Sequence, residues 1–146
     1  FEKYDFKNLN IKYFSKAHHD HAIVSFRMFN DQKIMGHGVK MFRFKCEEKK
    51  YYLNKRSCST HSHGIVLSFL SETGLIGLTF LLIMYFFLLK NIFIASINTE
   101  KIILISIFVY LFPMLPMGYF FNNFFSLILY TLIGIYLGSK KIREKI

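Results

Sequence analysis

Polar and apolar residues are segregated into two halves of this chain. Residues 1–64 mix charged, aromatic and histidine side chains, whereas residues 65–138 are almost entirely apolar. The charged residues of the second half are Glu72, Lys90, Glu100 and Lys101. Long apolar stretches with so few charges are typical of membrane helices. The pattern therefore predicts an all-α integral membrane protein with a polar region before its spans.

Three apolar stretches predict membrane-spanning helices over 65–89, 102–117 and 120–138. A bilayer core needs about 20 apolar residues in helical conformation. The second stretch is the shortest, and two prolines lie near its end. We therefore expect it to form a tight hairpin with the third span around Pro116-Met117-Gly118, a single long kinked helix being the alternative.

The polar half predicts one amphipathic surface helix over about 18–31, with Asp20 as its cap. Gly36-His37-Gly38 predicts a turn after this helix. The predicted apolar stripe has spacings of three and four residues and consists of Ala22, Ile23, Phe26 and Phe29 or Asn30.

Charge sets the expected orientation of the spans. Residues 1–64 hold 13 of the 19 Lys and Arg and 6 of the 9 Asp and Glu, so their charge is about +7. The basic tail around Lys140-Lys141 adjoins the last span, which predicts a cytoplasmic C-terminus and an extracytoplasmic region 1–64. The positive-inside rule is weak for a segment of this length, so we attribute its basic charge to an anionic ligand. The spans argue against a nucleic-acid partner.

Two cysteines, Cys46 and Cys58, flank a polar loop in the basic half. A disulfide is reasonable if this loop lies outside the cytoplasm. Two free thiols remain the alternative, because pairing geometry cannot be read from sequence.

His61 and His63 lie where the polar half meets the first span. Titratable groups are energetically costly beside a membrane span, so this pair is a candidate functional site. An imidazole there can act as a general base. A zinc site and ordinary loop histidines are the alternatives, although the spacing matches no standard zinc motif. Glu72 lies about half a helical turn out of phase with His63, so no His–Glu dyad is expected and an interfacial glutamate is predicted. The further ligands that a zinc site could draw on are His18, His19, His21, Cys46 and Cys58.

Three stretches occur in an order that carries a family resemblance. His63 is followed by Gly64, nine further residues, Gly74, two residues and Gly77. Before it, residues 34–42 contain a Gly-x-Gly turn followed by a phenylalanine, and residues 112–123 form a later Pro- and Phe-rich segment. Together they resemble the O-antigen ligase and polymerase family of bacterial envelope enzymes.

The resemblance implies the C-terminal portion of a larger multi-span bundle, with further helices upstream. It places the protein in the bacterial inner membrane as a multi-pass protein, with residues 1–64 in the periplasm. Such enzymes transfer a glycan from an undecaprenyl pyrophosphate carrier to a hydroxyl of a lipid or glycan acceptor. The expected reaction is a single inverting displacement that uses no metal and no cofactor.

The resemblance also implies roles for individual residues. His63 is the expected general base, and His61 orients it or contacts the acceptor. Arg43 and Arg27 are expected to bind the pyrophosphate, since guanidinium groups bind such oxygens in bidentate fashion, whereas Arg56 is expected to be a surface charge.

Two departures from the family pattern concern the same region. Gly64 occupies a position that is usually Asn, Ser or Gln, and the early helix arginine is replaced by the segment His18–His21. One alternative function is therefore a non-catalytic membrane binding or scaffold protein, a degenerate relative of the family. A second alternative, independent of these departures, is a metal-binding membrane protein.

Overall fold

The computed structural model describes residues 15–113 and 118–143, and the regular elements among them are all helices, which confirms the predicted all-α class. In chain order they are α1 (Lys16–Asp31), α2 (Phe42–Lys45), α3 (Ile65–Ser68), a π-helical turn (Phe69–Thr73), α4 (Gly74–Ile94), α5 (Asn98–Tyr110) and α6 (Asn123–Arg143). We call residues 15–64 the loop module, and residues 65–113 with 118–143 the helical module.

Helix α1 begins two residues before the predicted start and buries a different face. The side chain of Ser15 accepts the backbone N–H of His18 at 3.3 Å, so Ser15 and not Asp20 is the N-cap. The predicted apolar stripe is wrong, and Phe26 is 37% exposed. Polar side chains form half of the buried face, so a count of apolar residues pointed to the wrong side of the helix. The buried face consists of His21, Val24, Ser25 and Met28.

The loop module has a small core of its own, closed by a covalent bond. Cys46 and Cys58 form a disulfide with Cα atoms 5.3 Å apart, which resolves the alternative left open by the sequence. Arg27 donates from its guanidinium group to the carbonyl oxygens of Tyr51 and Tyr52, at 3.2 and 3.4 Å. The buried core residues are Val24, Met28, Phe42, Cys46 and Tyr51.

Two helical segments of the helical module are long and apolar enough to cross a membrane, Ile65–Ile94 and Asn123–Ile142. They correspond to the first and third predicted spans. The predicted second span is not confirmed, because α5 has 13 residues and ends at Tyr110, before Pro113. At about 1.5 Å per residue, α5 covers about 20 Å of a ~30 Å bilayer core. Residues 114–117, which hold most of the predicted hairpin turn, lie outside the described residues.

Helices α4, α5 and α6 share one buried seam, while their other faces carry large exposed apolar side chains. Phe86 on α4 is 64% exposed, and Phe124 on α6 is 71% exposed. The hydroxyl of Tyr136 donates to the side-chain oxygen of Asn91 at 3.1 Å and links α6 to α4. The seam contains Leu81, Leu88, Leu104, Ile107, Phe125 and Leu129.

The Gly-x-Gly turn of the loop module is bonded to the π-helical turn of the helical module. The N–H groups of His37 and Gly38 donate to the carbonyl oxygens of Ser71 and Glu72, at 3.1 and 2.8 Å. Gly36 has φ +67°, and a Cβ there would lie 2.4 Å from the carbonyl carbon of Glu72. Only glycine fits a positive φ with backbone this close.

A second glycine makes the reciprocal contact. Gly74 has φ +63° and breaks the helical path between the π-helical turn and α4. A Cβ at Gly74 would lie 2.5 Å from the carbonyl oxygen of Ile34. The N–H groups of Leu75 and Ile76 donate to the carbonyl oxygens of Lys33 and Ile34, at 2.8 and 3.3 Å. The two modules are therefore joined through backbone on both sides, in what we call the glycine junction.

Candidate functional site

Four histidine rings meet above the start of α3. His18 and His21 lie three residues apart on α1 and therefore share one face, while His61 and His63 come from the loop before α3. The ring centroid of His63 lies 4.0 Å from that of His61, 5.1 Å from that of His21 and 5.3 Å from that of His18. The structure thus brings together both predicted catalytic histidines with two from the surface helix.

His63 has an unusual backbone conformation at the centre of this cluster. Its φ is +55°, in the left-handed region that non-glycine residues seldom adopt. Such a conformation costs about 1–3 kcal/mol and persists only where the surroundings enforce it. The hydroxyl of Ser59 lies 3.1 Å from Nε2 of His63. Ser59 and the packed rings therefore fix the direction of this imidazole.

Burial favours the neutral form of the clustered imidazoles. Burial, and then the nearby His63, lowers the pKa of His61 to about 4, and the charge of Arg43 acts in the same direction. Burial and His63 also lower the pKa of His21 to about 4. The pKa of His63 is lowered by burial and by His18. At neutral pH the rings of His21, His61 and His63 therefore favour the unprotonated state, which a general base requires.

A buried carboxylate lies next to the cluster, and sequence reasoning assigned it no role. Glu72 is 1% exposed and belongs to the π-helical turn. Its carboxylate accepts the N–H groups of Lys40 and Phe42, at 3.0 and 3.1 Å, and the hydroxyl of Tyr119. Its carboxylate therefore faces protein donors and serves as a buried anchor. One signal available in the sequence is that an acidic residue in an apolar helix needs partners.

Tyr119 connects this anchor to the histidines. Its ring centroid lies 5.5 Å from that of His61, and its oxygen also accepts the N–H of Lys40 at 2.7 Å. Burial raises the pKa of Tyr119, and the bond to Glu72 adds to the effect, so its phenol remains a donor. Lys40 has φ +66°. Glu72 and Tyr119 together hold this strained turn directly before Arg43.

The three candidate arginines separate clearly in the structure. Arg43, on α2, is exposed, and its charge acts on both His61 and Tyr119. Arg27 is bonded to the backbone of Tyr51 and Tyr52, in the loop that the disulfide closes. Arg56 is 61% exposed and lies 3.7 Å from Asp20. The charge of Arg43 therefore acts on His61, whereas Arg56 acts on His21 through its backbone.

An apolar groove of about 470 Å³ opens below the site, along the first turns of α4. Aromatic contacts connect its wall to the cluster, since the ring of Phe121 lies 5.5 Å from that of Tyr119. The groove is lined mainly by Met35, Phe69, Ile76, Phe80, Phe120 and Phe121.

Two further observations concern the chemistry of the cluster. Within residues 15–113 and 118–143, no group of three or more His, Cys, Asp or Glu side chains is arranged to hold a metal ion. Gly64 is the N-cap of α3 and makes no side-chain capping bond. Asn and Ser are favoured at an N-cap because their side chains accept a backbone N–H group. The first consequence of glycine at position 64 is therefore the loss of a helix-capping side chain.

Comparison with known proteins identifies no relative. No family model, no curated protein and no solved structure matches the chain.

Proposed function

We propose that this protein transfers a glycan from an undecaprenyl pyrophosphate carrier to an acceptor hydroxyl, with His63 as the general base. The observation that carries the proposal is the neutral His61–His63 pair beside Arg43, at the entrance of an apolar helix long enough to cross a membrane. An amphipathic lipid-linked donor presents its head group at this level. The family resemblance of the surrounding motifs adds to the proposal.

The chemical step needs one proton acceptor and one anion-binding group. The acceptor oxygen forms a bond to the anomeric carbon while its proton moves to His63, and the bond from that carbon to the phosphate oxygen breaks. The carrier pyrophosphate leaves with the electron pair. The guanidinium of Arg43 would neutralise the charge that develops there. Nδ1 of His63 is a suitable proton acceptor, since Ser59 contacts Nε2 and Nδ1 makes no hydrogen bond among the described residues.

The disulfide supports an extracytoplasmic site. Disulfides form and persist outside the cytoplasm, where lipid-linked glycans are displayed in this proposal. Cys58 lies only three residues before His61, so the covalent bond restrains the segment that carries both loop histidines.

The decisive experiment replaces His63 with alanine in cells that carry the complete gene. We expect transfer to fall by about 10²–10⁴-fold, the usual contribution of a general base. The measurement is the glycan ladder of the surface polysaccharide, together with the amount of lipid-linked precursor and of protein in the membrane. A lost ladder with accumulated precursor and normal protein level supports the assignment.

His19 offers a matched control on the same helix, because its ring makes no contact with the cluster in the described part of the chain. His19→Ala is expected to leave the ladder unchanged. His61→Ala tests the partner histidine, and a partial loss is expected if it positions His63. An unchanged ladder in His63→Ala would reject His63 as the base and favour a non-catalytic binding protein.

A further inference from the structure

Two apolar side chains of the loop module face outward directly after α1. Ile34 is 66% exposed and Met35 is 73% exposed. The polar loop around them gives no reason to place large apolar groups in water, and burying each would be favourable. We therefore expect an apolar environment around these two side chains.

The glycine junction fixes the position of these side chains relative to α4. The carbonyl oxygens of Lys33 and Ile34 accept the N–H groups of Leu75 and Ile76, which belong to the first turn of α4. Leu75 and Ile76 are themselves 47% and 58% exposed. Backbone hydrogen bonds thus hold the turn against the start of α4, and the two together form one surface.

Met35 also forms a wall of the apolar groove. It lines the groove together with Ile76, Phe80, Phe120 and Phe121. Phe80 is 61% exposed and continues onto the outward face of α4. The apolar surface therefore runs without interruption from the loop module to a helix long enough to cross a membrane.

We propose that Ile34 and Met35 insert into the hydrocarbon of the leaflet on the loop-module side, and that lipid chains fill the groove behind Met35. Continuity with the lipid-facing surface of α4 argues for lipid as the occupant. Lys33, exposed beside the turn, is placed to reach the phosphate level as long basic side chains do at membrane interfaces. This contact sets the depth of the histidine cluster in the membrane, and it does not depend on glycan transfer.

The absence of tryptophan from the sequence gives a direct test. Met35→Trp introduces a single tryptophan into this 146-residue chain, which is then reconstituted in vesicles of phosphatidylglycerol and phosphatidylethanolamine. One set of vesicles carries bromine on the acyl chains close to the head group, and a second set carries it close to the chain ends. Bromine quenches tryptophan on contact, so the stronger loss of fluorescence reports depth.

We expect Met35→Trp to lose more fluorescence with bromine near the head group than with bromine at the chain ends. Tyr52→Trp, in the disulfide loop, is the matched aqueous control and should lose little in either set. Phe86→Trp, on the outward face of α4, should show the reverse depth order. Ile34→Trp repeats the test at the neighbouring position. It covers the case in which the larger ring at position 35 disturbs the groove.

Quenching of both turn variants no greater than that of Tyr52→Trp overturns the proposal. A blue-shifted emission without quenching also overturns it, because protein and not lipid then covers the turn. Failure of Phe86→Trp to be quenched removes the premise that α4 contacts lipid and overturns it as well. None of these outcomes depends on the activity of His63.

Discussion

The loop module and the helical module bury apolar groups in opposite ways. In the loop module, Val24, Met28 and Phe42 are fully buried beside a disulfide. In the helical module, a narrow seam is buried while Phe93 is 83% exposed and Phe124 is 71% exposed. Exposed apolar surface on this scale marks an interface with membrane or protein. The same residue types thus make a water-compatible core in one region and an outward apolar face in the other.

The contact between these two regions is made by backbone and by buried polar groups. Two glycines permit the close approach, and the carboxylate of Glu72 accepts donors from the loop. The histidine cluster therefore depends on this contact, because the contact positions both α1 and the loop before α3. Three changes test this dependence, and they are given from the largest expected effect to the smallest.

The largest effect is expected from Gly36→Ala. The new methyl group would meet the backbone of Glu72 at 2.4 Å, at a φ that alanine adopts only with strain. Overpacking and strain together predict a loss of about 3 kcal/mol or more in unfolding free energy. The measurement is denaturant unfolding in detergent, followed by circular dichroism.

Gly134→Ala is the matched control in α6, because a Cβ there meets nothing within 4 Å. It is expected to stabilise the helix by about 0.5–1 kcal/mol, the usual advantage of alanine over glycine. Equal stabilities of the two variants would contradict a tight glycine junction.

A smaller effect is expected from acid, through His21. Its pKa is lowered to about 4 by burial first and by His63 second, whereas an unfolded histidine titrates near 6.5. The unfolded state therefore binds the proton first, and the stabilisation present above pH 6.5 is lost as the pH falls toward 4. We expect about 2 kcal/mol to be lost between pH 7 and pH 5.

The variant His21→Phe keeps a ring in the cluster but cannot bind a proton. Its unfolding free energy should depend less on pH over the same window, with the difference confined to values below about pH 6.5. A pH dependence identical to that of the original protein would assign the acid sensitivity to another group.

The smallest of the three effects is expected from Glu72→Gln. The carboxylate has three donors, and the amide replaces one acceptor oxygen by an NH₂ group that faces a donor. A single unsatisfied buried group predicts a loss of about 1–2 kcal/mol. Hydrogen exchange at the N–H groups of Lys40 and Phe42 should become faster.

Glu47→Gln removes an exposed acidic charge from the loop module, which contains Lys40 and Phe42, and serves as the control. Its exchange at Lys40 and Phe42 should match that of the original protein. Unchanged exchange in Glu72→Gln would show that the turn holds its conformation without the carboxylate.

The sequence predicted those features that depend on local composition. Long apolar runs indicated two of the membrane-length helices, and Gly36-His37-Gly38 indicated the turn. The surface helix was predicted within two residues at its start, but its buried face was wrong. His21 and Ser25 are buried there, and hydrophobic periodicity cannot anticipate buried polar side chains.

Features that depend on distant contacts were missed. The π-helical turn and the break at Gly74 arise because the loop module donates and accepts backbone bonds there, and the apolar pattern carries no sign of them. Likewise, Glu72 and Tyr119 are 47 residues apart in sequence, so their pairing is visible only in three dimensions. The grouping of His18 and His21 with the loop histidines has the same origin.

The disulfide between Cys46 and Cys58 also makes the final structure of the loop depend on redox conditions. A newly made segment in a reducing compartment carries two free thiols, and the bond closes only when the segment meets oxidising conditions. The stretch leading to the histidines therefore becomes covalently restrained only after synthesis. A chain kept under reducing conditions would hold two free thiols and leave the segment before His61 and His63 without its covalent restraint.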